Sequence, residues 1–295
     1  MCDENSTAQT RCGIVVLAGK PNAGKSTLVN RLVGETLAII SPKPQTTRQA
    51  VVGILSEDLV QLALVDPPGL LDPRYLMQES MVAEALAWLQ RADAVLYLHP
   101  ITDGPPAPLD SLLPDGATLR APILNVLTKR DLAGPQPMTA SDRVAISAST
   151  GEGIPALLDW CRSAVPAGPF RFPVDDVSTQ PTRFFVAEFV RETAFHLLGD
   201  ELPYVIATEV DEFREGSEPL YIRVTLYVER ESQKGIVIGT RGRTIKALGE
   251  RARASIERFI GAPVYLDLWV KTYPRWRHSA EALRRFGFSH VTVRE

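Results

Sequence analysis

The run Gly19-Lys20-Pro21-Asn22-Ala23-Gly24-Lys25-Ser26-Thr27 has the residue types and spacing of a turn that wraps a polyphosphate. It follows the apolar stretch Ile14–Ala18 and opens a stretch of helical periodicity, Ser26–Val33. Glycines let such a backbone curl, so that several N–H groups and the helix N-terminus face one anion. Lys25 is then placed to reach the β- and γ-phosphates, and the Ser26 hydroxyl to bind magnesium. Asp66-Pro67-Pro68-Gly69 closes the apolar run Val60–Val65. That puts Asp66 at a strand's carboxyl edge, where it can hold magnesium through water while the Gly69 N–H meets the γ-phosphate. Between the two lies Ser41-Pro42-Lys43-Pro44-Gln45-Thr46-Thr47-Arg48-Gln49. Its prolines and hydroxyls suit a loop that orders when Thr46 or Thr47 binds the metal; a plain surface connection is the alternative.

Two further segments choose the base. Thr128-Lys129-Arg130-Asp131 follows the apolar run Pro122–Leu127. A carboxylate at Asp131 can accept both N–H groups of guanine's N1/N2 edge, which adenine does not offer, and the Lys129 stem can lie over the ring. Ser147-Ala148-Ser149 ends another short strand, where a backbone N–H can donate to guanine O6. DxxG, TKxD and SAx are each weak alone. Their order behind a P-loop, each after a strand, makes them jointly strong and disfavours the ATP-dependent P-loop kinases. GTP or GDP with magnesium is the expected ligand.

The elements that must hold these residues read as a parallel α/β domain. Ile14–Ala18, Val60–Val65, Ala94–Leu98 and Pro122–Leu127 have the continuous apolar character of strands buried on both faces. Ser26–Val33, Gln78–Gln90 and Ile154–Ala164 have helical spacing and alternate with them. The expected organisation is a tail over 1–10, a nucleotide domain over 11–168, a linker over 169–180 and a second domain over 181–295. The 295 residues are ample for two cores.

The second half has another rhythm: a helix near Arg183–Leu198, strands near Val205–Glu212 and Leu220–Glu229, a glycine-punctuated turn, a helix near Arg243–Phe259, and a strand at Val264–Trp269. This is the order of a type II KH domain. Its Gly239-Thr240-Arg241-Gly242 has the G-x-x-G pattern that clamps single-stranded nucleic-acid backbone in such domains. Lys234, Gly235, Ile238, Thr240, Arg241, Arg243 and Lys246 are the expected RNA contacts around it. Ile236, Ile238, Ile245 and Leu248 should floor a groove for unstacked bases, with Arg251 and Arg253 at its edge. From Gln233 to Arg258 there are seven basic residues against Glu250 and Glu257, although the whole chain carries a net charge of −3. Trp269 and Trp276 fit either a stacking surface or the KH core. His99, His196, His278 and His290 are widely spaced and read as structural.

Three cysteines without CxxC spacing argue against a disulfide framework or zinc site. No apolar run approaches the roughly 20 residues of a membrane span, and Met1–Arg11 has no signal-peptide pattern. The chain is expected to be a cytoplasmic monomer.

GxPNxGKS, QTTR, DxPG, TKxD and SAx resemble the five guanine-nucleotide motifs of the translation-factor-related GTPases. With SQKGIVIG, LDLWVK and ALRRFGF in the second half, the chain resembles the Era-like GTPases, in which a G domain precedes a KH domain. The resemblance covers nearly everything beyond the first ten residues. It implies GTP hydrolysis, binding of the 3′ end of small-subunit ribosomal RNA, a role in maturation of the small ribosomal subunit, and loose association with the inner membrane. Two positions depart from commoner patterns. Leu70 stands where small signalling GTPases carry the water-orienting glutamine, so switch-loop backbone is expected to place the water. Thr128 replaces asparagine, which should lower guanine affinity and leave the preference intact. Asn22 corresponds to a position that in potassium-activated relatives helps coordinate K+. The alternative to a GTP-switched factor is a constitutive KH-type RNA-binding scaffold with a slow or vestigial GTPase domain.

Overall fold

The computed structural model describes residues 9–41, 43, 45–114, 117–134, 139–140, 143–199 and 201–291. The tail over 1–8, Pro42 and Pro44 lie outside them. Contacts divide the chain into two units. The first comprises residues up to 38, 47–72 and 82–179; the second takes 180–295 together with 39–46 and 73–81.

The first unit is built on seven strands: β1 (Arg11–Ala18), β2 (Val51–Ser56), β3 (Val60–Asp66), β4 (Ala94–Pro100), β5 (Ile123–Thr128), β6 (Thr139–Ala140) and β7 (Arg143–Ala145). Their order is β2-β3-β1-β4-β5-β7-β6. The five central strands run parallel, while β2 and β6 add antiparallel edges. Alternate residues serve opposite faces. Val15, Leu17, Leu62, Leu64, Leu96 and Leu98 join Leu28 and Val29 of helix α1 (Lys25–Val33) and Leu157 and Cys161 of helix α3 (Ile154–Ala164). Val16, Ala18, Ala63, Val65, Val95 and Tyr97 join Ala85 and Leu89 of helix α2 (Leu76–Gln90). Both faces are therefore covered, which is why these strands carry near-continuous apolar sequence.

The stretch over 169–180 was expected to link two domains. Its Arg171 and Phe172 N–H groups both donate to Gln61 Oε1, at 2.9 and 3.0 Å, and the Ser178 hydroxyl donates to the Val52 carbonyl at 2.6 Å. Prolines there signal the lack of regular structure rather than freedom, and residues through 179 belong with the first unit.

The second unit holds a three-stranded sheet in the order β10-β9-β8, formed by β8 (Ala207–Arg214), β9 (Leu220–Val228) and β10 (Val264–Thr272). Helices α4 (Thr182–Leu197) and α6 (Arg243–Ile260) pack against it, with a short α7 (Ala280–Arg285) near the end. The run expected to be an extension of the glycine turn is instead helix α5 (Glu231–Ile238). Gln233 Oε1 accepts the N–H groups of Glu229 and Arg230, both at 2.9 Å, and so starts that helix. Trp276 is fully buried with its indole N–H on the Val205 carbonyl, so it packs the core. Trp269 remains 51% exposed. Among the described residues no helix is long and apolar enough to cross a membrane.

Candidate functional site

The phosphate turn lies between β1 and α1, as its spacing requires. Gly24 sits left-handed at the helix N-terminus with φ 95°, and Asn22 is also left-handed at φ 65°. Lys25 is 6% exposed and its Nζ lies 3.5 Å from the Gly19 carbonyl and 3.4 Å from that of Lys20. Pro67, Pro68 and Gly69 are buried beside this turn. The Leu70 N–H donates to the Gly19 carbonyl at 3.1 Å, which pins the Asp-Pro-Pro-Gly turn to the P-loop. A Cβ on Gly69 would lie 2.8 Å from the Pro21 nitrogen, so only glycine permits this approach.

Asp66 ends β3 with no exposure. Its Oδ2 accepts the Ser26 hydroxyl at 2.5 Å and the Thr47 hydroxyl at 3.3 Å, and those two hydroxyls are 3.2 Å apart. Three of the four side chains expected around magnesium therefore converge. Thr46 does not join them; its carbonyl accepts Arg191 Nη2 at 2.6 Å, both residues lying in the second unit. Burial pushes the Asp66 carboxyl up and the Lys25 ammonium down, each opposed by the other's charge. Asp66 Oδ1 is buried without a hydrogen-bond partner. A buried carboxylate oxygen left over after two hydroxyl bonds is the donor a hard divalent cation takes. The residues fit magnesium.

A cavity of about 240 Å³ opens next to the phosphate turn. Gly24 and Thr27 line it from α1, Lys129 and Asp131 from the turn after β5, and Ala148 and Ser149 from the turn after β7. The P-loop and the two separated segments expected to read the base thus meet in one hollow. Backbone bonds weld them: Ile146 N–H donates to Leu127 at 2.8 Å and Arg130 N–H to Ile146 at 3.0 Å. The Ser147 N–H is already spent on the Glu152 carbonyl, at 2.9 Å. Thr128 is 4% exposed, and its hydroxyl donates to the Ala23 carbonyl at 2.7 Å. The hydroxyl thus ties the turn after β5 to the P-loop, while the residue also lines the hollow.

In the second unit, Gly239-Thr240-Arg241-Gly242 joins α5 to α6. Gly239 has φ 72°, and a Cβ there would fall 2.1 Å from the Thr244 hydroxyl. Thr240, Arg241, Arg243 and Lys246 are exposed. Lys234, Gly235 and Ile238 sit on α5, with the Gly235 position open to solvent. An open hollow of about 490 Å³ lies between α6 and β10, bounded by Ile245, Lys246, Gly249, Arg253, Tyr265 and Leu268. The expected apolar floor is corrected in part. Ile245 lines this hollow, but Leu248 is fully buried in the core and Ile236 faces a different one, beside Arg230 and Arg277. Sequence reading missed the wall from β10, for which the alternation of Tyr265, Asp267 and Trp269 with Leu266 and Leu268 was the available signal.

Comparison with known proteins gives the same two halves. A family profile described as "50S ribosome-binding GTPase" matches residues 14–129, and a KH domain profile matches residues 201–277. The chain is 39% identical to GTPase Era of Carboxydothermus hydrogenoformans, over 95% of this chain and 98% of that one. It is 35% identical to GTPase Era of Staphylococcus epidermidis over 94% and 97%. Among solved structures, Aquifex aeolicus Era bound to GDP·AlF4− superposes with a TM-score of 0.89 at 35% identity, covering 95% of this chain and all of that one. Era in complex with MgGDPNP and nucleotides 1506–1542 of 16S ribosomal RNA matches equally, at TM-score 0.89 and 35% identity over 95% and 99%. A P-loop GTPase domain and a KH domain, alike in sequence and fold along nearly the whole length, make this chain a member of the GTPase Era family.

Proposed function

We propose that this GTPase is a nucleotide-switched factor that holds the 3′ end of small-subunit ribosomal RNA during maturation of the small ribosomal subunit. The observation that carries the reading is the pairing of a hollow at Asp131, lined by the turns after β5 and β7, with an open hollow behind the G-x-x-G turn that Lys246 and Arg253 edge. The relative solved with MgGDPNP and 16S ribosomal RNA supports the choice of ligands.

At the first site Asp131 accepts the N1/N2 edge of guanine, Lys129 covers the ring, and the N–H groups of Ala148 and Ser149 serve O6. The backbone of Gly19–Thr27 and the Lys25 ammonium bind the phosphates. Ser26, Thr47 and Asp66 would hold magnesium, which neutralises charge developing on the phosphoryl oxygens. Thr46 is one residue from that set and keeps its backbone with the second unit. Asn22, left-handed at the turn, is the residue we assign to potassium. At the second site Gly239 and Gly242 let the RNA backbone approach, Lys234, Arg241, Arg243 and Lys246 meet phosphates, and bases enter the α6–β10 hollow.

Segment 39–46 supports a route between the sites. Besides the Arg191–Thr46 bond, Lys43 Nζ donates to the carbonyls of Phe195 and Leu198 at the end of α4, at 2.9 and 2.8 Å. When Thr47 takes up the metal, the adjoining residues are drawn with it, and α4 feels the change. The protein acts in the cytoplasm in this reading, as a monomer, with peripheral contact to the inner membrane. The test compares affinity for a single-stranded 16S 3′-terminal oligonucleotide in GDP and in a non-hydrolysable GTP analogue. A difference of about tenfold is expected; equal affinities would leave only a constitutive RNA-binding scaffold. Hydrolysis should run faster in potassium than in sodium, and equal rates would remove the Asn22 assignment.

A further inference from the structure

The sheet of the second unit has one apolar face and one aromatic face. Ile222, Val224 and Leu226 of β9 are fully buried on the first. The parallel register sets Tyr265 beside Tyr221, Asp267 beside Arg223 and Trp269 beside Thr225 on the other. There Tyr265 is 58% and Trp269 51% exposed. Exposed aromatics are usually loose, yet these are braced. Asp267 Oδ2 accepts the Trp269 indole N–H at 3.0 Å, Arg223 Nε at 3.0 Å and the Tyr221 hydroxyl at 2.9 Å. The Tyr221 and Tyr265 rings stack at 5.8 Å and 13°. The Arg223 guanidinium lies 5.7 Å from the Trp269 ring centre and 5.6 Å from that of Tyr221. Ordering several side chains on a surface costs rotamer entropy, and half-exposed rings return little of it by burial. A rigid array of ring faces is what a stacking ligand needs.

We infer that the outer edge of this sheet, at Tyr265 and Trp269, is a base-stacking platform that takes the single-stranded RNA as it leaves the α6–β10 hollow. The inference rests on the RNA reading of that hollow and extends it. Three observations choose this occupant. Tyr265 borders both the hollow and the platform, so the two surfaces are continuous. Among the described residues strand β10 is the edge of the sheet, and no further strand there blocks the way round. Arg223 is paired with Asp267 and Glu212, and Arg214 with Glu212, so these arginines offer little net charge to an anionic lipid surface, and the exposed Lys271 two residues beyond Trp269 adds a single cation. Stacking needs no such charge. Tyr265 and Trp269 are four residues apart on one strand, roughly 13 Å, which leaves room for a base over each ring.

The experiment measures binding of the full chain to unstructured oligoribonucleotides of about four and about twelve nucleotides. Trp269→Ala should leave the short oligomer unaffected and weaken the long one about tenfold, the scale of losing one stacked base. Trp269→Phe should recover most of that loss, with unchanged melting curves for both variants. Equal binding of the long oligomer by wild type and Trp269→Ala would overturn the platform, as would an equal loss for both lengths. Binding to phosphatidylglycerol vesicles that Trp269→Ala abolishes, with RNA binding unchanged, would overturn it in favour of lipid. A wild-type chain that binds neither oligomer defeats the hollow itself, and the platform with it.

Discussion

The two sites differ most in enclosure. At the nucleotide site Lys25, Asp66, Thr128 and Ser147 are all buried, each tied to backbone or to another side chain of the site, while Asp131 at the mouth of the hollow is exposed and would be covered by a bound base. At the proposed RNA site Thr240, Arg241, Arg243, Lys246 and Glu250 stand in solvent. Buried groups interact at low effective dielectric and leave costly vacancies when cut. Exposed charges are screened and replaceable. Substitutions should therefore act strongly and without salt dependence at the first site, and weakly with salt dependence at the second.

The sharpest attempt to break this contrast is Asp131→Asn. The variant keeps the shape of the hollow but loses a carboxylate that accepts two donors. Losing charge-assisted hydrogen bonds of this kind costs on the order of 3 kcal/mol or more, so GTP affinity should fall at least a hundredfold. RNA binding in the absence of nucleotide should not move. Calorimetric titration of GTP and of the oligonucleotide measures both, and a loss under tenfold would mean that the base is read elsewhere.

Next is Thr128→Val, which keeps the volume and removes the hydroxyl. The Ala23 carbonyl loses its 2.7 Å partner inside the core. An unsatisfied buried acceptor costs about 1–3 kcal/mol, and here it loosens the join between P-loop and base-reading turn. GTP affinity should drop about five- to hundredfold, and by the same factor at low and high salt. If Thr128 contacted the guanine 2-amino group directly, the loss would be confined to guanine nucleotides. As a strut to the phosphate turn it should extend to inosine triphosphate as well.

How much of each site was legible follows the same division. The P-loop, DPPG, TKRD and SAS segments are contiguous, because each performs a backbone task at one strand end. The sequence therefore displayed them whole, along with β1, β3, β4 and β5, whose apolar runs are interrupted only by Gln61 in β3 and Asn125 in β5. β2 escaped notice because Gly53 interrupts VVGILS. That glycine is there for packing, since a Cβ would fall 2.6 Å from Val33. The proposed RNA site joins α6 to β10, two elements whose contact no local pattern records, so the alternation along β10 marked a strand with two different faces without saying that one of them walls a hollow. Helix α5 was hidden by Gly235 and the strand-like IVI, although Gln233 was its starting signal. Trp269 and Trp276 looked alike until their surroundings separated them. Thr46 and Thr47 were equivalent by type, and only Thr47 turned out to face Asp66.

Glu84 sharpens the contrast from within the first unit. It is 8% exposed on α2, its carboxylate accepts the Ala50 N–H at 2.9 Å, and burial pushes its pKa up to about 7 from an ordinary 4.5. The folded state thus holds this proton more tightly than the unfolded state does. Stability should fall as pH rises from about 4.5 to about 7 and stay lower above that window. Glu84→Gln keeps an acceptor for Ala50 without the charge. It should raise stability at pH 8 by up to about 3 kcal/mol and give no gain below pH 4.5. Thermal melting of both proteins across that range tests the sign, and a gain that did not depend on pH would assign the effect to packing.

The smallest expected effect, and the one most specific to an open site, comes from Glu250→Gln. Glu250 lines the α6–β10 hollow and is 61% exposed, with Lys246 Nζ 4.0 Å away across one helical turn. Its carboxylate repels phosphates entering the hollow and partly occupies the lysine that should meet them. Removing the charge should strengthen RNA binding two- to threefold at low salt, where fields reach far. The gain should disappear in high salt, because the screening length shrinks from about 14 Å at 0.05 M to about 4 Å at 0.5 M. GTP affinity should be the same in variant and wild type at both salts. Measured as the slope of log affinity against log salt, the variant should be steeper than wild type, since Lys246 then displaces a counterion that Glu250 had been replacing. An unchanged slope would mean that Lys246 does not meet phosphate, and would leave Arg253 as the basic residue lining the hollow.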